Sequence, residues 1–223
     1  MASIYLHPFT GAAATNGSAA TPTTGSALSL STGTEGTLTG SGELQGGSGD
    51  GYYDIPTSSF GDGTIKLAFT PPAGFTGQIR FFFRCQASSA VWNNDGSAIF
   101  FGDPVFSQTT DLEDRAPSNG IDSILASAAG LTALTPATAW IRLDGSRVRV
   151  WLNGNTGTPD IDVSTLSRTT GFFGLLINGS TSRYDTIDID DTPTSPAPPP
   201  RNDNQVPRRI LGRMTRNRTL RAA

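Results

Sequence analysis

The sequence predicts an all-β sandwich, and three observations carry that expectation. The composition is rich in turn formers, the middle of the chain is a series of short alternating runs, and Gly, Asp, Asn or Pro separates nearly every run from the next. Of 223 residues, 26 are Gly and 15 Pro, with only 16% charged and 9% aromatic, a balance that gives many turns and few helices. The ends differ from the middle, so the chain divides into an N-terminal arm (1–50), one globular domain (51–191) and a Pro-rich spacer with an Arg-rich tail (192–223).

Residues 1–50 are low in complexity, with Gly, Ser, Thr and Ala around sparse apolar positions at Leu28, Leu30, Leu38 and Leu44. That composition fits a linker or extended arm. Ala27–Ser31 and Gly36–Gly40 nevertheless alternate well enough to become strands where a partner covers them.

From Tyr52 the pattern becomes period-2, as half-buried strands require. Tyr52-Tyr53-Asp54-Ile55 opens the series, and Thr64–Phe69 places Ile65, Leu67 and Phe69 on one face. Gln78–Gln86 places Ile79, Phe81, Phe83 and Cys85 on one side and Arg80, Phe82 and Arg84 on the other. Phe82 between two arginines marks either a contact surface or a face covered by a second layer. The segment Asp122–Leu134 can be read as a helix, a strand or a loop, since Ile121, Ile124, Leu125 and Ala128 have helical spacing. In Trp140–Gly154 two alternating runs flank Asp144-Gly145, which predicts a hairpin with Ile141, Leu143, Val148, Val150 and Leu152 inward and Arg142, Arg147 and Arg149 outward. Phe172–Ile177 and Tyr184–Asp190 complete the strands, and Thr192–Pro200 is an extended polyproline spacer.

The succession Trp140-Ile-Arg-Leu, Asp144-Gly145, Val148-Arg-Val-Trp-Leu-Asn-Gly154, Gly171-Phe-Phe-Gly-Leu175 and Tyr184-Asp-Thr-Ile-Asp-Ile189 resembles the C-terminal half of concanavalin A-like and laminin G-like domains. The resemblance covers about Thr138–Asp190 and, more loosely, Tyr52–Gln86. It implies a two-sheet antiparallel jelly-roll sandwich, a fold that carries lectins, glycosidases and purely structural domains.

Chemistry-bearing patterns are sparse. The glycosidases of that fold use a Glu-x-Asp-x-Glu strand, whereas here Glu occurs only at Glu35, Glu43 and Glu113. His7 is the only histidine and Cys85 the only cysteine, which leaves nothing from which to build a multi-His or Cys-rich metal site, and no catalytic residue is expected. Cys85 reads as a buried, inert thiol. Asp185, Asp188, Asp190 and Asp191 are acidic enough for Ca²⁺ but read as solvated strand-end carboxylates, so neither metal nor cofactor is expected. Trp92-Asn93-Asn94-Asp95 is the candidate sugar-binding run, an indole to stack on a ring beside amides and a carboxylate for hydroxyls; its plainer reading is a polar turn with a packed Trp. Neither a secretory leader nor an 18-residue apolar span is evident, so a soluble chain without a membrane partner is expected.

The net charge of −3 hides a division. Arg201–Ala223 holds 7 Arg and 1 Asp, a charge of +6, which leaves 9 basic and 18 acidic residues, or −9, on the rest. In the tail Arg208, Arg209, Arg213, Arg216 and Arg218 alternate with Ile210, Leu211 and Met214, a mixture suited to an acidic protein surface more than to nucleic acid. These features lead to the expectation of a non-enzymatic bacteriophage structural protein, a capsid decoration or cement subunit on the virion surface, assembled in the host cytoplasm. Its partners would be the major capsid protein or other virion subunits and further copies of itself, taken as a trimer. The alternatives are a carbohydrate-binding module of a phage tail or fibre, and a neck or tail ring component.

Overall fold

The computed structural model describes residues 3–13, 15–73, 77–102, 109–116 and 120–191. Among these, fifteen strands follow one another: β1 (Ser3–His7), β2 (Ser29–Gly33), β3 (Thr37–Leu38), β4 (Leu44–Gln45), β5 (Gly51–Phe60), β6 (Gly63–Thr70), β7 (Gln78–Cys85), β8 (Gly96–Phe101), β9 (Thr110–Ala116), β10 (Gly120–Ala128), β11 (Ala137–Asp144), β12 (Arg147–Leu152), β13 (Ile161–Val163), β14 (Gly171–Asn178) and β15 (Arg183–Asp190). They form two antiparallel sheets. The eight-stranded sheet runs β13-β12-β11-β6-β15-β4-β3 with β1 also on β15, and the seven-stranded sheet runs β10-β9-β8-β7-β14-β5-β2. This is the two-sheet jelly-roll sandwich the sequence predicts.

Alternation sets the inner faces. Along β11 every second residue from Ala137 to Leu143 is buried, and Ile141 pairs with Val150 and Leu143 with Val148 across the hairpin. Asp144 itself pairs with Arg147, so the two loop residues are Gly145 and Ser146, and only Gly145 has positive φ (55°). That is the arrangement with glycine at the first central position of a tight hairpin, one residue on from the Asp-Gly turn expected. The opposite sheet supplies Phe81, Phe83, Ile99, Phe101, Leu112, Phe173, Leu175 and Ile177 to the same core. The Tyr184 hydroxyl crosses between the layers to donate to the Arg80 carbonyl at 2.9 Å.

Residues 1–50 are not an extended arm in their described part. β1 pairs with β15 (Ser3 opposite Asp190), β2 with β5, and β3 with β4, so this segment contributes to both sheets. Its sparse apolar residues have a reason to be spaced as they are: Tyr5, Phe9, Leu28, Leu38 and Leu44 are buried in the common core. The Gly36 amide is also tied down, donating to the Tyr53 hydroxyl at 2.6 Å, and burial pushes that phenol up to about 12. The covering partner the alternating segments call for is the body of the same chain. Residues 192–223, including the expected partner-binding set from Arg208 to Arg218, lie outside the described residues.

Two readings of single strands change. In β7, Arg84 takes a left-handed conformation (φ 54°), which breaks the alternation and turns Cys85 onto the outer face beside Phe82. Arg84 is fully buried, donating to the carbonyls of Arg168 (3.1 Å) and Gly61 (3.5 Å). A Cβ at Gly171 would sit 2.3 Å from the Arg84 carbonyl carbon, so the bend requires glycine opposite it. The Asp122–Leu134 segment resolves as a strand over its first part: β10 is the edge of the seven-stranded sheet, with register shifts at Ile121/Ser123 and Ile124/Ala126. Bulges of this kind spoil the edge as a template for further pairing and reproduce helix-like apolar spacing.

His7 provides a pH test of how tightly β1 is held. Its Nδ1 accepts from the Phe9 amide at 3.1 Å and its ring stacks on Phe9 at 4.2 Å. Burial lowers its pKa below 6.5, against a smaller opposing contribution from the Ala20 backbone. A depressed histidine keeps the fold most stable above 6.5 and costs stability as pH falls from there toward the folded value. Because the chain has no other histidine, unfolding midpoints measured between pH 7.5 and pH 5.5 should fall with acidification, and His7→Asn should flatten that slope.

Candidate functional site

The outer face of the seven-stranded sheet carries two groups of polar and aromatic side chains. Pairing aligns Tyr52, Leu176, Arg80, Phe100 and Asp111 in one row across β5, β14, β7, β8 and β9, with Asp54, Gly174, Phe82, Ala98 and Glu113 in the next. The face has two halves of different character.

On the β8–β9 side a charge cluster is closed off from solvent. Glu113 accepts from Arg80 Nη2 at 3.3 Å and from Arg115 Nη1 at 2.9 Å, while Arg80 lies over the Phe100 ring (4.5 Å) and Arg115 over Phe82 (5.2 Å). Glu113 is 1% exposed. Asp111 and Glu113 do share one face of a strand, two residues apart, as paired glycosidase carboxylates must. Here, however, the second is neutralised by two guanidinium groups and out of reach of a substrate. The cluster holds β7 to β9. Nothing in the sequence marks the cluster, because Asp111, Glu113 and Arg115 alternate around Leu112 alone, a pattern that resembles an exposed polar stretch.

On the β5–β2 side the face is partly open, and the Trp92 run forms its roof. Residues Val91–Asn93 make a single 3₁₀ turn, fixed by Asp54, whose two carboxylate oxygens accept the Ala90 and Val91 amides at 2.9 Å each. Val91 packs with Tyr52, Phe82, Cys85 and Leu176 in a small second core that covers Phe82. In this layer burial pushes the Cys85 thiol up to about 12, leaving it protonated and inert at neutral pH. The Trp92 ring lies 4.7 Å from Tyr52, and its Nε1 donates to Ser31 Oγ at 3.3 Å. The Tyr52 hydroxyl donates to Asp50 at 3.2 Å, and the Asn178 amide to the other Asp50 oxygen at 2.6 Å.

The four residues of the run therefore have different fates. Asn94 caps its own loop by donating to the Ala90 carbonyl at 2.7 Å, and Asp95 is ion-paired with Arg168, which also holds Asp114 at 2.6 Å. Trp92 and Asn93 are half-buried, and the polar groups near Trp92 come from outside its run: Ser31 accepts from its Nε1, and the Tyr52 ring against it carries the hydroxyl that bonds Asp50, itself held by Asn178. Nothing in the sequence links Asp50 to Asn178, 128 positions apart. The strand-end aspartates also move: β15 is flanked by β6 on one side and by β4 and β1 on the other, and Asp188 faces Lys66 across a pair. Elsewhere, a groove of about 560 Å³ runs between Ile4 and the Pro56–Asp62 stretch, with Asp191 at its rim.

No family model matches the sequence, and no curated protein matches it. Solved structures do match in shape. The exoplasmic/lumenal domain of VIP36 in its Ca²⁺/Man3GlcNAc-bound form is 14% identical with a TM-score of 0.58, over 77% of this chain and 86% of that one. The potassium-bound carbohydrate recognition domain of Emp46p is 15% identical with a TM-score of 0.56, over 74% and 88%. A Bacillus subtilis protein of unknown function with a galectin-like fold is 13% identical with a TM-score of 0.55, over 86% and 96%. At these identities the likeness is one of fold: this chain has a two-sheet jelly-roll architecture in common with these domains.

Proposed function

We propose that the domain is a non-enzymatic carbohydrate-binding module whose ligand lies against Trp92 on the outer face of the seven-stranded sheet. The observation that carries the reading is the partly exposed Trp92 indole, backed by Tyr52, whose hydroxyl joins the hydrogen-bonded Asp50–Asn178 pair. A sugar presents a C–H face that stacks on an aromatic ring and a hydroxyl rim that needs acceptors and donors, and this patch offers both. The Asp54 clamp holds the Trp92 turn before any ligand arrives, which lowers the ordering cost of binding. The lectin-type fold supports the same reading, since VIP36 and Emp46p domains of this shape are described as sugar-bound or carbohydrate-recognising.

Binding of the full chain to a glycan array, followed by titration of the best ligand, tests this. Trp92→Ala should weaken binding by at least about tenfold, or about 1.4 kcal/mol, while the unfolding midpoint stays within a few degrees. A wild-type chain that binds no glycan, or a Trp92→Ala chain that binds equally well, overturns the reading.

A second reading, a virion structural subunit attached by its tail, is favoured by the charge division between a body of −9 and a C-terminal segment of +6. The two are compatible, with the tail anchoring a sugar-binding body to the major capsid protein or another virion subunit. Removal of residues 201–223 should then abolish incorporation into particles without affecting glycan binding.

A further inference from the structure

The opposite side of the sandwich, the outer face of the eight-stranded sheet, carries an aromatic and cationic patch that neither the core nor the Trp92 site uses. Pairing sets Trp151, Trp140, Lys66 and Asp188 side by side across β12, β11, β6 and β15, and sets Arg149, Arg142 and Thr64 in the adjacent row. Trp140 is at the centre. The Lys66 ammonium lies 5.4 Å from its ring centroid, and Trp151 is its direct cross-strand neighbour.

The charges around it are unevenly satisfied. Arg147 is paired with Asp162 at 2.5 Å and Arg149 with Asp144 at 3.2 Å, and Trp151 Nε1 donates to the Gly157 carbonyl at 3.1 Å. Arg142, between them, has no partner among the described residues: its Nε and Nη1 are both shielded from solvent and unbonded. Asp188, beyond Lys66, likewise has a buried, unbonded Oδ1. A guanidinium laid against a sheet with idle N–H groups is stable only at a cost; Nε and Nη1 point to different edges of the plane, and a planar carboxylate placed end-on across Nη1 and Nη2 would satisfy the second of these idle donors.

We propose that this patch is a second ligand site, for an acidic saccharide: a sugar ring stacked on Trp140 with its carboxylate on Arg142 and its hydroxyls toward Lys66 and Asp188. The body carries a charge of −9, so a free anion is repelled at long range. Only a ligand that brings a stacking face together with the carboxylate gains enough at this spot. The site lies on the other sheet from Trp92 and does not depend on the first reading.

The chain has 3 tryptophans, so the full-length protein gives three indole N–H signals in a nitrogen-15 correlation spectrum, assignable with Trp→Phe variants. Trigalacturonate is the acidic probe and maltotriose the neutral one. Trigalacturonate should shift the Trp140 indole saturably and leave Trp92 in place, and maltotriose should leave Trp140 unmoved. Arg142→Gln should raise the dissociation constant by at least about tenfold, with Arg142→Lys intermediate because it keeps the charge and loses the fork. Saturable movement of Trp92 alone, equal binding of maltotriose at Trp140, no saturable shift, or unchanged affinity in a folded Arg142→Gln chain would overturn the proposal.

Discussion

A chain beginning at Gly51 should fail to fold, although composition marks the preceding residues as dispensable. Tyr5, Phe9, Leu28, Leu38 and Leu44 are each at most 3% exposed, and all five pack into the main core. At about 1.5–3 kcal/mol for each buried apolar side chain, their combined contribution is of the order of 10 kcal/mol before the entropy of ordering the segment is subtracted. That is comparable with the whole stability of a typical domain, about 5–15 kcal/mol. Their loss would also uncover the free edges of β5 and β15, which β2, β1 and β4 now occupy. The expected result is an aggregating chain without a cooperative thermal transition. A sharp transition near the wild-type midpoint would mean that the N-terminal segment is an appendage after all.

The second large effect is expected at Glu113. Glu113→Ala removes the carboxylate that Arg80 and Arg115 share, in a setting where Arg115 is fully buried and Arg80 is 8% exposed. Breaking a buried ion cluster from one side costs about 3–5 kcal/mol, because the remaining charges keep their desolvation penalty and lose the attraction that offset it. For a domain of this size the unfolding midpoint should drop by about 10 °C. Glu113→Gln should cost less, since it keeps the shape and one acceptor. If Glu113→Ala and wild type unfold together, the cluster contributes nothing to stability and its role lies elsewhere. Under the proposed carbohydrate-binding reading, glycan binding should survive Glu113→Gln.

What was legible in the sequence was whatever depended on near neighbours. The β11–β12 hairpin is readable because its alternation is unbroken and its turn is marked by glycine, and the inward set Ile141, Leu143, Val148 and Val150 follows from period 2 alone. Cys85 was assigned to the wrong face because a left-handed residue at Arg84 leaves no trace in the residue types and depends on Gly171, 87 positions later. The N-terminal strands were hidden because Ser, Thr and Gly satisfy a strand's outward positions as readily as they fill a linker. The distinction lies in whether a few widely spaced leucines find a core. The candidate site was half visible: Trp92 stands out as an aromatic in a polar turn, but the groups that surround it come from Ser31, Asp50, Tyr52, Asp54 and Asn178, brought together only by sheet pairing.

The pairing of Ser3 with Asp190 also decides how the domain bears load. The two strands are antiparallel and their outer ends meet, so a pull that separates those ends opens β1 from β15 one hydrogen bond at a time, as a zipper, instead of shearing the whole ladder at once. Tension entering at Asp190 alone reaches β15 at its tip, where β6 and β1 grip it from both sides. A body held only through its C-terminal segment is thus secured along a strand in the interior of its sheet, and in a pulling experiment it should yield at markedly higher force when gripped there and at Asn153, which follows β12 at the opposite end of the sheet, than when gripped at Ser3 and Asp190.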